Sequence, residues 1–218
     1  MQVKVWLIMN TAIPTEIAVE SLGIKESTRE RILQAAHEEM YEQGFQGLRI
    51  DAVLKKTQLA KGALYHYFPT KLALGYAVLD EVIMGYFQTS WSEFMGATND
   101  PLQALKDFFN QKYSDVLTGE CANGCPLTNL IQEMSTLDEG FHQRLKTVMS
   151  DIVATVATAL HQGQLDGIVR KDINPQAIAT FLLCSYQGIM GAAKCMQSVE
   201  LARDLFDSLC AYVESLRI

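Results

Sequence analysis

Apolar residues recur at intervals of three and four along almost the whole chain, and strict two-residue alternation is nearly absent. That spacing is the helical period, so the sequence predicts an all-α protein. A first helix is expected after Ser27 or Thr28, with Glu30 three residues beyond Ser27 to complete a reciprocal cap. Its buried stripe is Ile32, Ala36 and Met40 with Leu33 beside it, and Gly44 closes it before Phe45. A short second helix buries Ile50, Val53 and Leu54, and a tight connection spans Thr57 to Ala60. A third helix from Lys61 buries Leu64 and Phe68 until Pro69, which has no N–H to donate, stops it.

From Lys71 an apolar series through Leu74, Val78, Leu79, Ile83 and Phe87 predicts a supporting helix to about Phe94. Breakers divide the remainder of the chain. Asp100-Pro101 opens a helix to about Leu117, since proline at a first helical position loses nothing. Thr118 to Pro126 reads as a loop punctuated by Gly119 and Gly124, succeeded by a short helix from Leu127 to Met134. A long helix is expected from Asp138 to Gln162, another from Asn174-Pro175 to Met196, and a last one from Ser198 or Glu200 to Leu216. The helix after Pro175 is apolar on most of its circumference and must be covered on all sides. It is either a core helix of a monomer or one of a pair across a homodimer axis, where Gly188, Gly191, Ala192 and Ala193 would admit a partner backbone; the dimer is favoured.

Three short helices, the last two joined by so tight a turn, form a helix-turn-helix arrangement. The expected organisation is a loose extension or over-long start at 1–24, a three-helix helix-turn-helix domain at 25–71, and a larger helical domain for ligand binding and dimerisation at 72–218. Val3 to Met9 is too short and too poorly flanked for a signal peptide. No apolar run approaches the roughly 20 residues that span a bilayer, so no membrane segment is expected. Five cysteines without regular spacing point to a reducing cytoplasm rather than a disulfide framework.

Charge first argues against nucleic acid, since the chain carries −7. Its distribution reverses that reading. Between Gln43 and Lys71 five basic residues (Arg49, Lys55, Lys56, Lys61, Lys71) face one acid, Asp51, a local +4 that leaves −11 on the rest. A basic island on an acidic body is the footprint of a modular DNA binder.

The stretch Lys61-Gly62-Ala63-Leu64-Tyr65-His66-Tyr67-Phe68-Pro69-Thr70-Lys71, with Gly44-Phe45 before the second helix, resembles the recognition segment of the TetR family of transcriptional regulators. The resemblance covers about residues 27 to 75. It implies a homodimer that binds a palindromic double-stranded operator, usually to repress, and is released when a small effector occupies the body. Three positions depart from the family pattern: Leu48 and Ala60 stand where capping residues are common, and Gln58 where the turn usually has glycine. A lost cap costs about 0.5–2 kcal/mol.

The residues themselves fit that chemistry. Gly62 and Ala63 are small enough to let the third helix sit deep in a major groove, Lys61 can reach a guanine edge or a phosphate, and Tyr65 and His66 can touch base edges or thymine methyls. Tyr67 and Lys71 fit phosphate contacts that fix register, and Arg49 completes the DNA-facing set. Core packing is the competing reading for the aromatics and is accepted for Phe68. His66 has no second ligand at the spacing a metal needs, and no metal or cofactor is expected.

In the body, Cys121-Ala-Asn-Gly-Cys125 precedes Pro126. Some TetR-type regulators place a reactive cysteine in a Gly-Cys step opening the helix after this loop, and Gly124-Cys125 is similar. Cys125, with Cys121, is therefore a candidate redox or electrophile sensor, because a helix N-terminus favours the thiolate. A buried, inert cysteine is the alternative. A candidate effector pocket for an apolar or electrophilic ligand is expected around Phe87, Phe109, Tyr113, Met134 and Tyr186, residue types that suit core packing equally well. A helical enzyme and a helical adaptor are the competing classes. No phosphate loop, catalytic triad order or zinc-protease motif supports the first, and the second predicts no operator.

Overall fold

A computed structural model of the chain describes residues 27–218, and the expected extension at 1–24 lies outside the described residues. The chain is helical: α1 (Thr28–Gly47), α2 (Ile50–Thr57), α3 (Lys61–Tyr67), α4 (Lys71–Ala77), α5 (Met84–Gly96), α6 (Pro101–Leu117), α7 (Pro126–Met134), α8 (Glu139–Leu165), α9 (Pro175–Met196) and α10 (Val199–Glu214). Packing groups the chain into two compact units, one of residues up to Tyr86 with 129–146, the other of Phe87–Thr128 with Thr147–Ile218.

In the first unit α1 packs on α2, α3 and α4. Its start is the expected reciprocal cap, in which the Ser27 hydroxyl accepts from the Glu30 N–H and the Glu30 carboxylate accepts from the Ser27 N–H at 2.8 Å. Gly44 breaks the helix as expected, with φ 75° and ψ 170°, and one further turn carries the chain to Gly47. Ile32, Ala36 and Met40 are buried with Val53, Leu64, Phe68 and Leu74, while Ile50 and Leu54 are only half-covered. The continuous helix expected from Lys71 to about Phe94 contains a π-helical turn at Val78–Ile83. Its buried series runs Leu74, Val78, Leu79, Ile83 and Phe87, with the adjacent buried pair Val78 and Leu79 lying in that turn. Asp80 and Glu81 leave that turn toward Arg144 and Arg29, whose guanidinium groups hold them.

The segment 129–146 joins this unit through specific side chains. Phe141 packs against Phe45 with ring centroids 4.7 Å apart, and Tyr76 donates its hydroxyl to Asp138 at 2.6 Å.

In the second unit α6 packs on α10 and α10 on α9. Asp100 caps α6 by accepting from the Leu102 and Gln103 N–H groups, Asn174 caps α9, and Ser198 caps α10, all at the residues expected from the sequence. Trp91, Phe108, Phe109, Tyr186 and Phe206 fill its core. The last helix ends at Glu214 rather than Leu216, because the chain beyond it pairs with 168–170: Arg170 donates to the Leu216 carbonyl at 2.9 Å and Ile218 to that of Ile168 at 3.2 Å. No helix of the described residues is long and apolar enough to cross a membrane.

Candidate nucleic-acid interface

The helix α3 is seven residues long and buries only Leu64. Phe68, the residue after it, is buried as well, so two apolar anchors spaced four apart hold the helix and turn its other face outward. On that face Lys61, Gly62, His66, Tyr65 and Tyr67 are exposed, the two tyrosines at 38% and 41%, and Ala63 is half-covered. The Lys61 ammonium lies 5.9 Å from the centre of the Tyr65 ring, and His66 meets Tyr67 edge-on at 5.3 Å. A Cβ added at Gly62 would meet nothing within 4 Å, so the protein's own packing does not require a small residue there.

The positions that depart from the family pattern are legible in the backbone. The N-cap of α2 is Arg49 rather than Leu48, and it makes no side-chain cap because a guanidinium has no acceptor, while Leu48 is buried. Gln58 occupies the left-handed region at φ 56°, where glycine would be unstrained. Ala60 leaves the start of α3 without a side-chain cap.

Flanking cations are tethered rather than loose. Arg49 is 73% exposed along its side chain, and its Nε donates at 3.2 Å to Glu39, a carboxylate only 4% exposed. Lys71 donates from Nζ to the Gln46 carbonyl at 2.8 Å and sits 5.2 Å above the Phe45 ring, so part of its donor capacity is used inside the molecule. Sequence reasoning missed Glu39 and Glu133; the latter accepts from the backbone N–H groups of Phe45 and Gln46. Neither has a local motif to announce it.

Residues 32–78 match the family model described as bacterial regulatory proteins, tetR family, and residues 101–209 that of the tetracyclin repressor-like C-terminal domain. The chain is 31% identical over 183 residues to an uncharacterized HTH-type transcriptional regulator in the lacX 3' region of Lactococcus lactis subsp. lactis, covering 84% of this chain and 91% of that one. The chain belongs to the TetR family. It is also 26% identical over 160 residues to the HTH-type transcriptional repressor DhaR of Mycobacterium sp. (strain GP1), covering 73% of this chain and 79% of DhaR. Its fold is similar to that of reduced NemR from E. coli, with a TM-score of 0.79 at 23% identity over 88% of this chain and 98% of that one. TetR-family members are DNA-binding regulators that act as dimers, and they are not enzymes.

The two cysteines of the expected sensor lie outside α3. Cys125 directly precedes α7 and is buried, and Gly124 before it has φ 78°. Burial pushes the Cys125 thiol up, against the opposing pull of the Thr128 and Leu127 N–H groups and the Lys112 charge. The helix-end effect expected from the sequence is therefore present but outweighed, and the resting form is the thiol. Burial likewise pushes Cys121 up to about 12, although the Lys112 charge lowers it. Lys112 itself is paired with Asp115 at 2.6 Å, both side chains being almost fully buried.

The expected effector residues differ in their surroundings. Phe109 and Tyr186 belong to the packed aromatic core, with Phe108 at 5.6 Å from each. Tyr113 is half-covered and accepts from Arg203 at 3.0 Å, while Met134 belongs to the first unit. Phe87 borders a cleft of about 460 Å³, with Gln88, Trp91, Asp151, Ile152 and Thr155. Aromatic and methionine side chains fill cores as readily as they line pockets, which is why composition did not separate the two.

Proposed function

We propose that two copies of this chain bind a palindromic operator through α3, repress transcription there, and are released by a small effector taken up in the helical region 72–218. The observation that carries the reading is the outward face of α3: two exposed tyrosines, an exposed lysine and histidine, and a glycine whose missing side chain the protein does not need. An exposed aromatic and cationic face suits a major groove. In this reading Lys61, Tyr65 and His66 reach base edges, Gly62 and Ala63 permit close approach, and Arg49, Tyr67 and Lys71 set register on phosphates. Lys71 has three ammonium donors, so it can keep Gln46 and still reach a phosphate.

Dimerisation is assigned to α9 and α10. On α9 Ala177, Phe181, Cys184, Gly188, Gly191 and Cys195 lie four, three, four, three and four apart and are all exposed, and a Cβ on either glycine would meet open space. Such a stripe supports close helix pairing with a second copy. For the effector, the cleft beside Phe87 and Trp91 supports an apolar or planar ligand.

A second mode of release, by modification of Cys125, draws support from the Leu127 and Thr128 N–H groups and the Lys112 charge directed at its sulfur, and from a relative whose solved form is described as reduced. Because the thiol is buried, this mode requires the 118–125 loop to open first. A Cys125 that resists alkylation in the folded protein would remove it.

The operator reading is tested by selecting duplexes from a random library with the purified protein and titrating the recovered sequence in gel shifts. A palindrome with half-sites about 34 Å apart is expected, and Lys61→Ala and Tyr65→Ala should each weaken binding by about tenfold or more. Unchanged affinity in both variants would mean that α3 is not the reading element.

A further inference from the structure

We propose that Glu133, remote in sequence from the helix-turn-helix, is the positioning residue that sets the recognition helix for DNA by holding the corner between α1 and α2. The proposal rests on the operator reading above.

The break at Gly44 creates a need. Its extended ψ at positive φ takes Phe45 and Gln46 out of the α1 hydrogen-bond ladder, so their N–H groups have lost their helical acceptors. Glu133 supplies both: Oε2 accepts from Phe45 at 2.9 Å and Oε1 from Gln46 at 2.7 Å. Two N–H donors on one carboxylate form a charge-assisted, two-point contact, which fixes orientation as well as distance. A Cβ on Gly44 would stand 2.8 Å from one carboxylate oxygen and 2.9 Å from the other, so a side chain there would push the Glu133 carboxylate out of place, and the φ of 75° favours glycine independently.

The same two residues are held by Lys71 as well. Lys71 donates to the Gln46 carbonyl at 2.8 Å and covers the Phe45 ring, whose other neighbour is Phe141. The Phe45 carbonyl accepts from Leu48 at 3.2 Å, and the next residue, Arg49, opens α2. The chain entering α2 and the chain leaving α3 at Lys71 are therefore both keyed to the backbone of residues 45–46. Moving that segment shifts both flanks of the recognition helix. The residue that orients it is Glu133, near the end of α7, a nine-residue helix that opens directly after Cys125.

The test uses the full-length dimer and the duplex recovered by selection. In Glu133→Ala the Phe45 and Gln46 amides should exchange with solvent at least tenfold faster, while amides in α10 keep their rates. Its Kd for the duplex should rise about tenfold at a temperature where circular dichroism shows it fully folded. The slope of log Kd against log salt should stay as in the parent protein, because no phosphate contact has been removed. Glu133→Gln retains one acceptor and turns a donor toward the other N–H, so faster exchange at one amide and a Kd raised about threefold are expected. Glu133→Gln also decides the matter should the alanine variant not fold. Parent-like exchange at both amides, or a parent-like Kd in the folded variants, overturns the proposal. A parent protein that retains no duplex overturns the operator reading and this proposal together, whereas tight binding by Glu133→Ala overturns this proposal alone.

Discussion

His37 is sealed within α1's buried face at 7% exposure, stacked on Tyr41, and neither ring nitrogen has a hydrogen-bond partner among the described residues. Burial, partly opposed by the Glu38 charge, lowers its pKa from 6.5 to about 4. The folded state therefore holds His37 neutral where the unfolded chain binds a proton. Its contribution is intact above pH 6.5 and is lost as pH falls from there toward 4, by roughly 3 kcal/mol in all. His37→Leu should remove much of that acid sensitivity and raise the melting temperature at pH 5, because no hydrogen bond is lost. Thermal scans at pH 7 and pH 5 check this, and an unchanged pH dependence would deny that His37 is the group responsible. Two other residues carry local cost in the folded state. Ala60→Ser should add about 0.5–2 kcal/mol by capping α3. Gln58→Gly should relieve about 1 kcal/mol at a left-handed φ. Urea midpoints measure both, and a loss in either variant would contradict the cap and turn geometry.

At the scale of elements, α3 separates stability from function. Gly62→Leu places a helix-favouring side chain in open space, so the free protein should be as stable or up to about 1 kcal/mol more stable. A lower melting temperature would show that the space is occupied by the protein itself. The helices and their caps were readable from sequence because their signals are local: Ser27 with Glu30, Asp100 with Pro101, Asn174 with Pro175. The π-helical turn had no such signal, since Leu74, Val78, Leu79, Ile83 and Phe87 read as one regular apolar series. The corner at Gly44 was visible only as a break. Its partner Glu133 lies 88 positions from Phe45, and no local pattern connects a carboxylate to a backbone N–H at that distance. The residues proposed to face DNA were visible as a set because Leu64 and Phe68 anchor one side of α3 and leave polar and aromatic residues on the other. The effector residues were not, since aromatic core and aromatic pocket share one composition.

For the whole molecule, function requires two recognition helices on one duplex. The exposed stripe on α9 is the surface assigned to that pairing, and Gly188→Arg puts a long charged side chain where a second backbone would approach. Sedimentation should show the variant as a folded monomer that has lost operator binding; a dimer of parent stability would move the interface elsewhere. Charge acts at the same scale, the +4 island drawing in phosphate while the acidic remainder discourages non-specific contact. The measurement that bears most directly on the claim that α3 enters the groove is a titration of the selected duplex with the parent protein and Gly62→Leu across a range of salt. Two chains per duplex, a linear fall of log affinity with log salt, and at least a tenfold loss in the equally stable Gly62→Leu are expected. Equal affinity of parent and variant would contradict it.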